Sequence, residues 1–186
     1  RHMASPCRWL DLEHTFGRDY TQLSRAFNTM IHYLYENFNE YLSNIDFWVP
    51  YFSSFNEEIR NKTGIFDSTT CAFIDGKTHC ICWPSSIQMA SGAIIDVQRE
   101  VYTGHKRTHA IKIQAVHAPN GMTIDFYGPV SGRRHDSFML RESTLNLRMG
   151  AAQAGNVAQY TIYGDAAYGG SHIYICRRHA GAILTD

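Results

Sequence analysis

Cys71-Ala72-Phe73-Ile74-Asp75-Gly76 and Tyr160-Thr161-Ile162-Tyr163-Gly164-Asp165 are the two stretches that decide the fold. Each is a short apolar run that ends in a carboxylate, the pattern of a buried central strand with a functional residue at its end. Between them, Ile111, Ile113 and Ala115 alternate with Lys112, Gln114 and Val116; Ala118-Pro119-Asn120-Gly121 supplies a turn; and Met122, Ile124 and Phe126 alternate again. A period of two on both sides of an Asn-Gly pair predicts a β-hairpin. Gly128-Pro129 and the polar loop Ser131-Gly132-Arg133-Arg134-His135 close it, and Asp136 to Met149 reads as one helix with Asp136 near its start. The Ala/Gly/Asn stretch 150–158 reads as a flexible loop.

Strand, hairpin, helix, strand is the ribonuclease-H-like order, so the predicted class is α/β with a mixed sheet. In that arrangement the first strand and the strand after the helix lie side by side, and acids 90 residues apart become neighbours. Carboxylates in such a pair suit hard divalent cations, which take oxygen ligands. Two such ions held about 4 Å apart activate a nucleophilic water and stabilise the leaving oxygen of a phosphodiester. Alone, either aspartate is an ordinary turn or cap residue. Their joint placement is what points to chemistry.

Four segments carry a family resemblance: Phe73-Ile74-Asp75-Gly76-Lys77-Thr78, Tyr102-Thr103-Gly104-His105-Lys106-Arg107-Thr108-His109, Gly128-Pro129-Val130-Ser131-Gly132-Arg133-Arg134-His135-Asp136-Ser137 and Tyr163-Gly164-Asp165-Ala166-Ala167-Tyr168. In this order they resemble successive motifs of the PIF/Harbinger-type DDE transposases and of the DDE superfamily endonuclease domain. The resemblance spans roughly residues 70–186. It implies a DNA endonuclease that uses two Mg²⁺ or Mn²⁺ ions for phosphodiester hydrolysis and leaves a 3′ hydroxyl for strand transfer. Asp75 and Asp165 correspond to the first two acids of the metal triad. Asp136, at the predicted helix start, is a helix N-cap, a residue that orients the ligands, or a third ligand; His135 positions a phosphate or Asp136, or is a surface loop histidine. Lys106, Arg107, Arg133 and Arg134 become candidates for DNA phosphate contact, although each alone reads as a solvated surface charge. Implied partners are DNA and a Myb-like DNA-binding protein, and the implied location is the nucleus.

The family's third acid is a Glu well downstream of Gly-Asp-x-x-Tyr, whereas none of the 21 residues after Asp165 is Glu. The expectation is therefore a nuclease core that stops short of its last ligand and has weakened metal affinity. A catalytically inactive, domesticated module that binds DNA or a protein is the alternative. Apolar sheet surface left uncovered would favour a homo-oligomer.

Ahead of the core, residues 8–44 read as helical. Arg8 to Phe16 is closed by Gly17, Asp19-Tyr20-Thr21-Gln22 has a capping pattern, and Leu23, Phe27, Ile31, Leu34, Phe38 and Leu42 fall on one helical face. Two helices around a Gly turn fit a DNA-reading helix-turn-helix or a packed helical pair. The expected organisation is a helical region at 1–45, an aromatic-rich connector at 46–69, and the nuclease core at 70–186. In the connector, Phe47, Trp48, Tyr51, Phe52 and Phe55 read as packing between the two parts.

Composition bounds these readings. Seventeen Lys+Arg balance 17 Asp+Glu in 186 residues, and 44% hydrophobic residues mark a folded globular chain rather than a disordered one. The balance excludes histone-like coating of nucleic acid, yet residues 99–148 hold eight basic against four acidic residues, while 36–67 hold two against six. Phosphate affinity depends on where the cations sit. No apolar run is long enough to cross a membrane as a helix. Five scattered cysteines make a poor disulfide framework and fit a reducing, intracellular compartment. Cys80 and Cys82 with His105 and His109 lack zinc-finger spacing and read as strand positions.

Overall fold

The computed structural model describes residues 8–65, 69–88, 94–95, 97–104, 106–168 and 174–177. Two compact units divide the chain, residues 1–40 and 41–186.

In the first unit, α1 (Trp9–Phe16) ends at Gly17, whose φ of 61° is the left-handed C-cap that glycine adopts at least cost. The second helix, α2 (Tyr20–Phe38), starts at Asp19, whose carboxylate accepts the Thr21 N–H at 2.8 Å. Trp9 and Phe27 meet edge to face at 5.5 Å. The long helix expected to run through Leu42 is interrupted at Asn39, after which α3 spans Glu40–Ser43. Of its stripe, Leu34, Phe38 and Leu42 remain 40–48% exposed.

The second unit begins within α3 and continues with a 3₁₀ helix (Ile45–Tyr51) and α4 (Phe52–Thr63). Ile45, Trp48, Phe52 and Phe55 join Ala72, Ile74, Val116, Ile124 and Ile162 in one core. The aromatic connector thus packs into the sheet unit itself. Phe52 is fully buried, a contribution of about 1.5–3 kcal/mol. Asn56 Nδ2 donates to the Thr70 carbonyl at 2.8 Å and fixes α4 to the start of the sheet.

Among the described residues, eight strands follow or interleave with the remaining helices. They are β1 (Thr70–Cys80), β2 (Ile87–Gln88), β3 (Ile94–Ile95), β4 (Tyr102–Thr103), β5 (Thr108–His117), β6 (Thr123–Ser131), β7 (Thr161–Gly164) and β8 (Ile175–Arg177), with α5 (Val97–Val101), α6 (Asp136–Glu142) and α7 (Leu145–Ala152). The sheet order is β4-β5-β1-β7-β8 with β6 also on β5, while β2 and β3 pair separately. β1 is antiparallel to β5 and parallel to β7, and β7 is parallel to β8. This curled mixed sheet with helices is the ribonuclease-H-like core that the sequence predicts, preceded by helices.

Several boundaries differ from the sequence reading. β1 does not stop at Asp75-Gly76 but runs to Cys80, because β5 supplies an unbroken antiparallel ladder from Phe73↔His117 to Cys80↔Ala110. β6 likewise continues through Gly128-Pro129 to Ser131, with a register shift between Lys112 and Gln114 on its partner; as an edge strand it can hold a proline. The predicted helix 136–149 is two helices broken at Ser143-Thr144, where Thr144 has a φ of 51°. The hairpin turn is as expected, with Gly121 at a φ of 86°. Gln153 closes the 153–160 loop, since its side chain donates to the Tyr160 carbonyl at 3.0 Å and accepts the Tyr160 N–H at 2.6 Å.

Candidate active site

Strand alternation gives the sheet two faces near its centre. Ile74, Gly76 and Thr78 share one with Lys112, Gln114 and Val116, their partners or near partners on β5. That face lies beneath α6 and α7: Gln114 Nε2 donates to Ser143 Oγ at 3.1 Å, and Arg148 reaches Asp125 on β6. Phe73, Asp75 and Lys77 point the other way and are exposed.

On β1 and β7 the parallel register pairs Phe73 with Tyr163 and Ile74 with Gly164. The next residue in each case is an aspartate, Asp75 within β1 and Asp165 just past the end of β7. Their flanking rings confirm a shared face, Phe73 lying edge-on to Tyr163 at 6.4 Å. Both carboxylates are exposed. Asp75 Oδ1 accepts the Gly76 N–H at 2.8 Å and Asp165 Oδ1 accepts the Ala167 N–H at 2.9 Å. Backbone amides therefore orient one oxygen of each, while the second oxygen makes no hydrogen bond among the described residues. A pair of oriented carboxylates with free, solvent-facing oxygens suits a hard divalent cation.

Asp136 arrives from the opposite face. It occupies the first turn of α6, whose N-cap position is held by His135 without a side-chain cap bond. Its carboxylate therefore does not cap the helix but lies over Gly76: a Cβ built there would stand 2.0 Å from Asp136 Oδ1, so only glycine leaves the room. Lys112 Nζ meets the same oxygen at 2.7 Å, with both side chains largely buried (12% and 16% exposed). Among the described residues no three His, Cys, Asp or Glu side chains come together as a metal cluster.

Tyr168, the last residue of the Gly-Asp-x-x-Tyr motif, folds back beneath this group. Its ring packs against Gly164, where an added Cβ would come 3.0 Å from the ring and 2.8 Å from Ile74 Cγ2. The hydroxyl is buried with no hydrogen-bond partner among the described residues. Burial, followed by the negative charges of Asp136, Asp75 and Asp165, pushes this phenol far above its usual range, so it stays protonated. A buried hydroxyl without a partner costs about 1–3 kcal/mol. Tyr168→Phe is accordingly expected to raise stability by about 1 kcal/mol in thermal or urea denaturation without metal, whereas a loss of stability would reveal a bond to the hydroxyl.

The remaining predicted residues cluster on the α6 side. Lys106, Arg133, Arg134 and His135 line one groove of about 420 Å³ together with Thr78 and Lys112. Arg107 is exposed in the preceding turn, at a φ of 51°, and is not part of the lining. Arg134 stacks over Phe138 at 4.6 Å, and Arg133 is 4.0 Å from Glu100. Cys80 and Cys82 are exposed free thiols, His109 sits between the rings of Trp83 and Tyr102, and His105 lies outside the described residues. Sequence reasoning missed Lys112 and Tyr168. Lys112 reads as the polar half of an alternating strand, whereas the Tyr that closes the Gly-Asp-x-x-Tyr motif is a usable signal for Tyr168.

No curated protein and no solved structure matches the chain significantly. The model of the DDE superfamily endonuclease family matches residues 75–185, beginning on the first of the paired aspartates and covering the second. That match takes in more than half of the sequence and the whole of the site just described. The chain belongs to the DDE superfamily of endonucleases.

Proposed function

We propose that the chain is a PIF/Harbinger-type nuclease core that hydrolyses DNA phosphodiesters with Mg²⁺ or Mn²⁺, and that the intact protein goes on to strand transfer. The observation that supports this reading is the Ile74↔Gly164 register, after which Asp75 and Asp165 are the next residues, each with one carboxylate oxygen that makes no hydrogen bond among the described residues. Those two side chains would hold the cations, which when bound supply Lewis-acid activation of water and of the leaving oxygen. Gly76 and Ala167 amides keep the carboxylates turned toward the site. Asp136, held back by Lys112, would orient the site or join it as a third ligand, and His135 would act beside it. Lys106, Arg107, Arg133 and Arg134 would hold backbone phosphates. A Myb-like DNA-binding partner, self-association and a nuclear location belong to the same proposal.

A second reading, an inactive module that binds DNA or a protein, draws on one observation: Asp136 is engaged by Lys112 in a largely buried ion pair. The test is to titrate Mn²⁺ into the purified chain while following its melting temperature and the nicking of supercoiled plasmid. Metal-dependent stabilisation together with nicking is expected. If neither appears, the nuclease reading fails for this chain and the binding module takes its place.

A further inference from the structure

Among the described residues, the groove on the α6 side of the sheet collects more positive charge than the acids paired with it neutralise. Lys106, Lys112, Arg133 and Arg134 all line it, and the ion pairs to these cations among the described residues are Asp136 on Lys112 and Glu100, whose contact with Arg133 is long at 4.0 Å and solvent-exposed. An exposed pair of that kind is worth little and gives way readily to a stronger anion. Arg133 and Arg134 project from a turn fixed on both sides. Gly132 N–H donates to the Ala110 carbonyl at 2.9 Å, and Ser131 Oγ donates to the Glu100 carbonyl.

Lys112 forms the floor. Its side chain is only 12% exposed, and its ammonium lies 2.7 Å from Asp136 Oδ1 and 3.4 Å from the Arg134 carbonyl. The first contact is an ion pair and the second a hydrogen bond. Lys112 thereby ties the arginine turn and the start of α6 to the centre of the sheet. The groove contains Gly76 and Thr78, which face away from Asp75 on the alternating strand. A phosphate bound here is not the one presented to the paired aspartates.

We propose that this groove seats a non-scissile phosphate of a nucleic-acid strand, and that Lys112 is the positioning residue that holds the Arg134 turn beside it. The proposal rests on the chain acting on nucleic acid, but it needs no metal and no catalysis. Arginines and lysines at one concave site suit a phosphodiester, for which guanidinium supplies paired donors and ammonium a point charge.

The test is fluorescence anisotropy of a fluorescein-labelled 12-mer oligothymidylate in EDTA at several salt concentrations. Each phosphate contact on a single strand contributes about −0.7 to the slope of log affinity against log salt. Arg133→Gln/Arg134→Gln is expected to weaken binding at least about tenfold and to flatten the slope by about 1.4. Lys112→Met should weaken it comparably, with Lys112→Arg recovering most of the loss; Lys62→Met on α4, where Lys62 is exposed and paired with Glu58, should bind as the parent does. Inorganic phosphate at millimolar concentration should compete against the parent and not against the double variant. Parent-like affinity and slope in Arg133→Gln/Arg134→Gln overturn the seat, as does a parent chain that binds no oligonucleotide. Parent-like binding in folded Lys112→Met overturns the role of Lys112, and if that variant fails to fold, Lys112→Arg and the arginine pair decide. Binding without nicking would defeat the nuclease reading alone, and nicking with unaltered binding in the arginine variant would defeat this proposal alone.

Discussion

Arg148→Met is expected to destabilise the sheet unit by about 3–5 kcal/mol, the cost of leaving a buried charge without its partner. Asp125 on β6 is 1% exposed and faces α7 across the sheet from Val116, its partner on β5. Arg148 meets it with two parallel bonds, 2.6 and 2.9 Å long, and also donates from Nε to the Ser143 carbonyl at 3.2 Å. A fork of this kind offsets the desolvation of the carboxylate, and methionine would fill much of the volume while offering no donor. The carboxylate would then be stranded, and with it the break between α6 and α7 would lose one of its ties. Guanidinium denaturation of the variant measures the loss. Asp125→Leu/Arg148→Met separates the net worth of the pair from the cost of breaking it: the double variant should recover most of the stability, since an apolar pair of similar size is often as stable as a buried ion pair. A loss below about 1 kcal/mol in the single variant would mean that water reaches Asp125 and that the fork is dispensable.

The same pair marks where sequence reading stopped. Elements fixed by local chemistry were legible: the Asn120-Gly121 hairpin, the Gly17 and Asp19 caps, and two apolar strands that lead into aspartates. What misled was local signal overruled by tertiary contact. Gly76 reads as the end of a strand, but it is glycine because Asp136 lies on it in mid-strand. Asp136 to Met149 contains no Gly or Pro before Met149, yet the helix breaks at Ser143, whose hydroxyl receives Gln114 and whose carbonyl receives Arg148. Lys112 and Gln114 look like the solvent half of an alternating strand. Their face is instead the covered one, because each has a polar partner waiting on the helices. Periodicity assigns faces by hydrophobicity, so a face held by paired polar groups is invisible to it. The site divides in the same way. The sequence singles out Asp75 and Asp165 as the ends of two apolar runs, although β1 carries on past Asp75 to Cys80, whereas the groove that gathers Lys106, Arg133, Arg134 and His135 depends on how the turn at 131–135 folds onto β5.

Asp75→Asn and Asp165→Asn should move stability and nuclease activity in opposite directions, which a structural residue would not do. Asparagine keeps a carbonyl oxygen where Asp75 accepts the Gly76 N–H and where Asp165 accepts the Ala167 N–H, so the local turns survive. It removes one of the two negative charges that directly follow the Ile74↔Gly164 pair. Without metal, like charges on neighbouring strands oppose folding, and each variant should be at least as stable as the parent in EDTA. With metal the order reverses. A ligand that binds only the folded state stabilises it by about 2.7 kcal/mol at a hundredfold excess over its dissociation constant; the parent should gain on that scale as Mn²⁺ is raised, and each variant should gain little. Plasmid nicking by each should fall by at least about 100-fold, because even residues outside the inner ligand shell cost 10–100-fold when replaced. Differential scanning fluorimetry with and without Mn²⁺, run beside the nicking assay, reads all three effects on one preparation. A variant that melts lower than the parent in EDTA and retains its Mn²⁺ shift would make the aspartate a structural acceptor and remove it from the metal site. Equal nicking by parent and variant would remove it from the chemistry altogether.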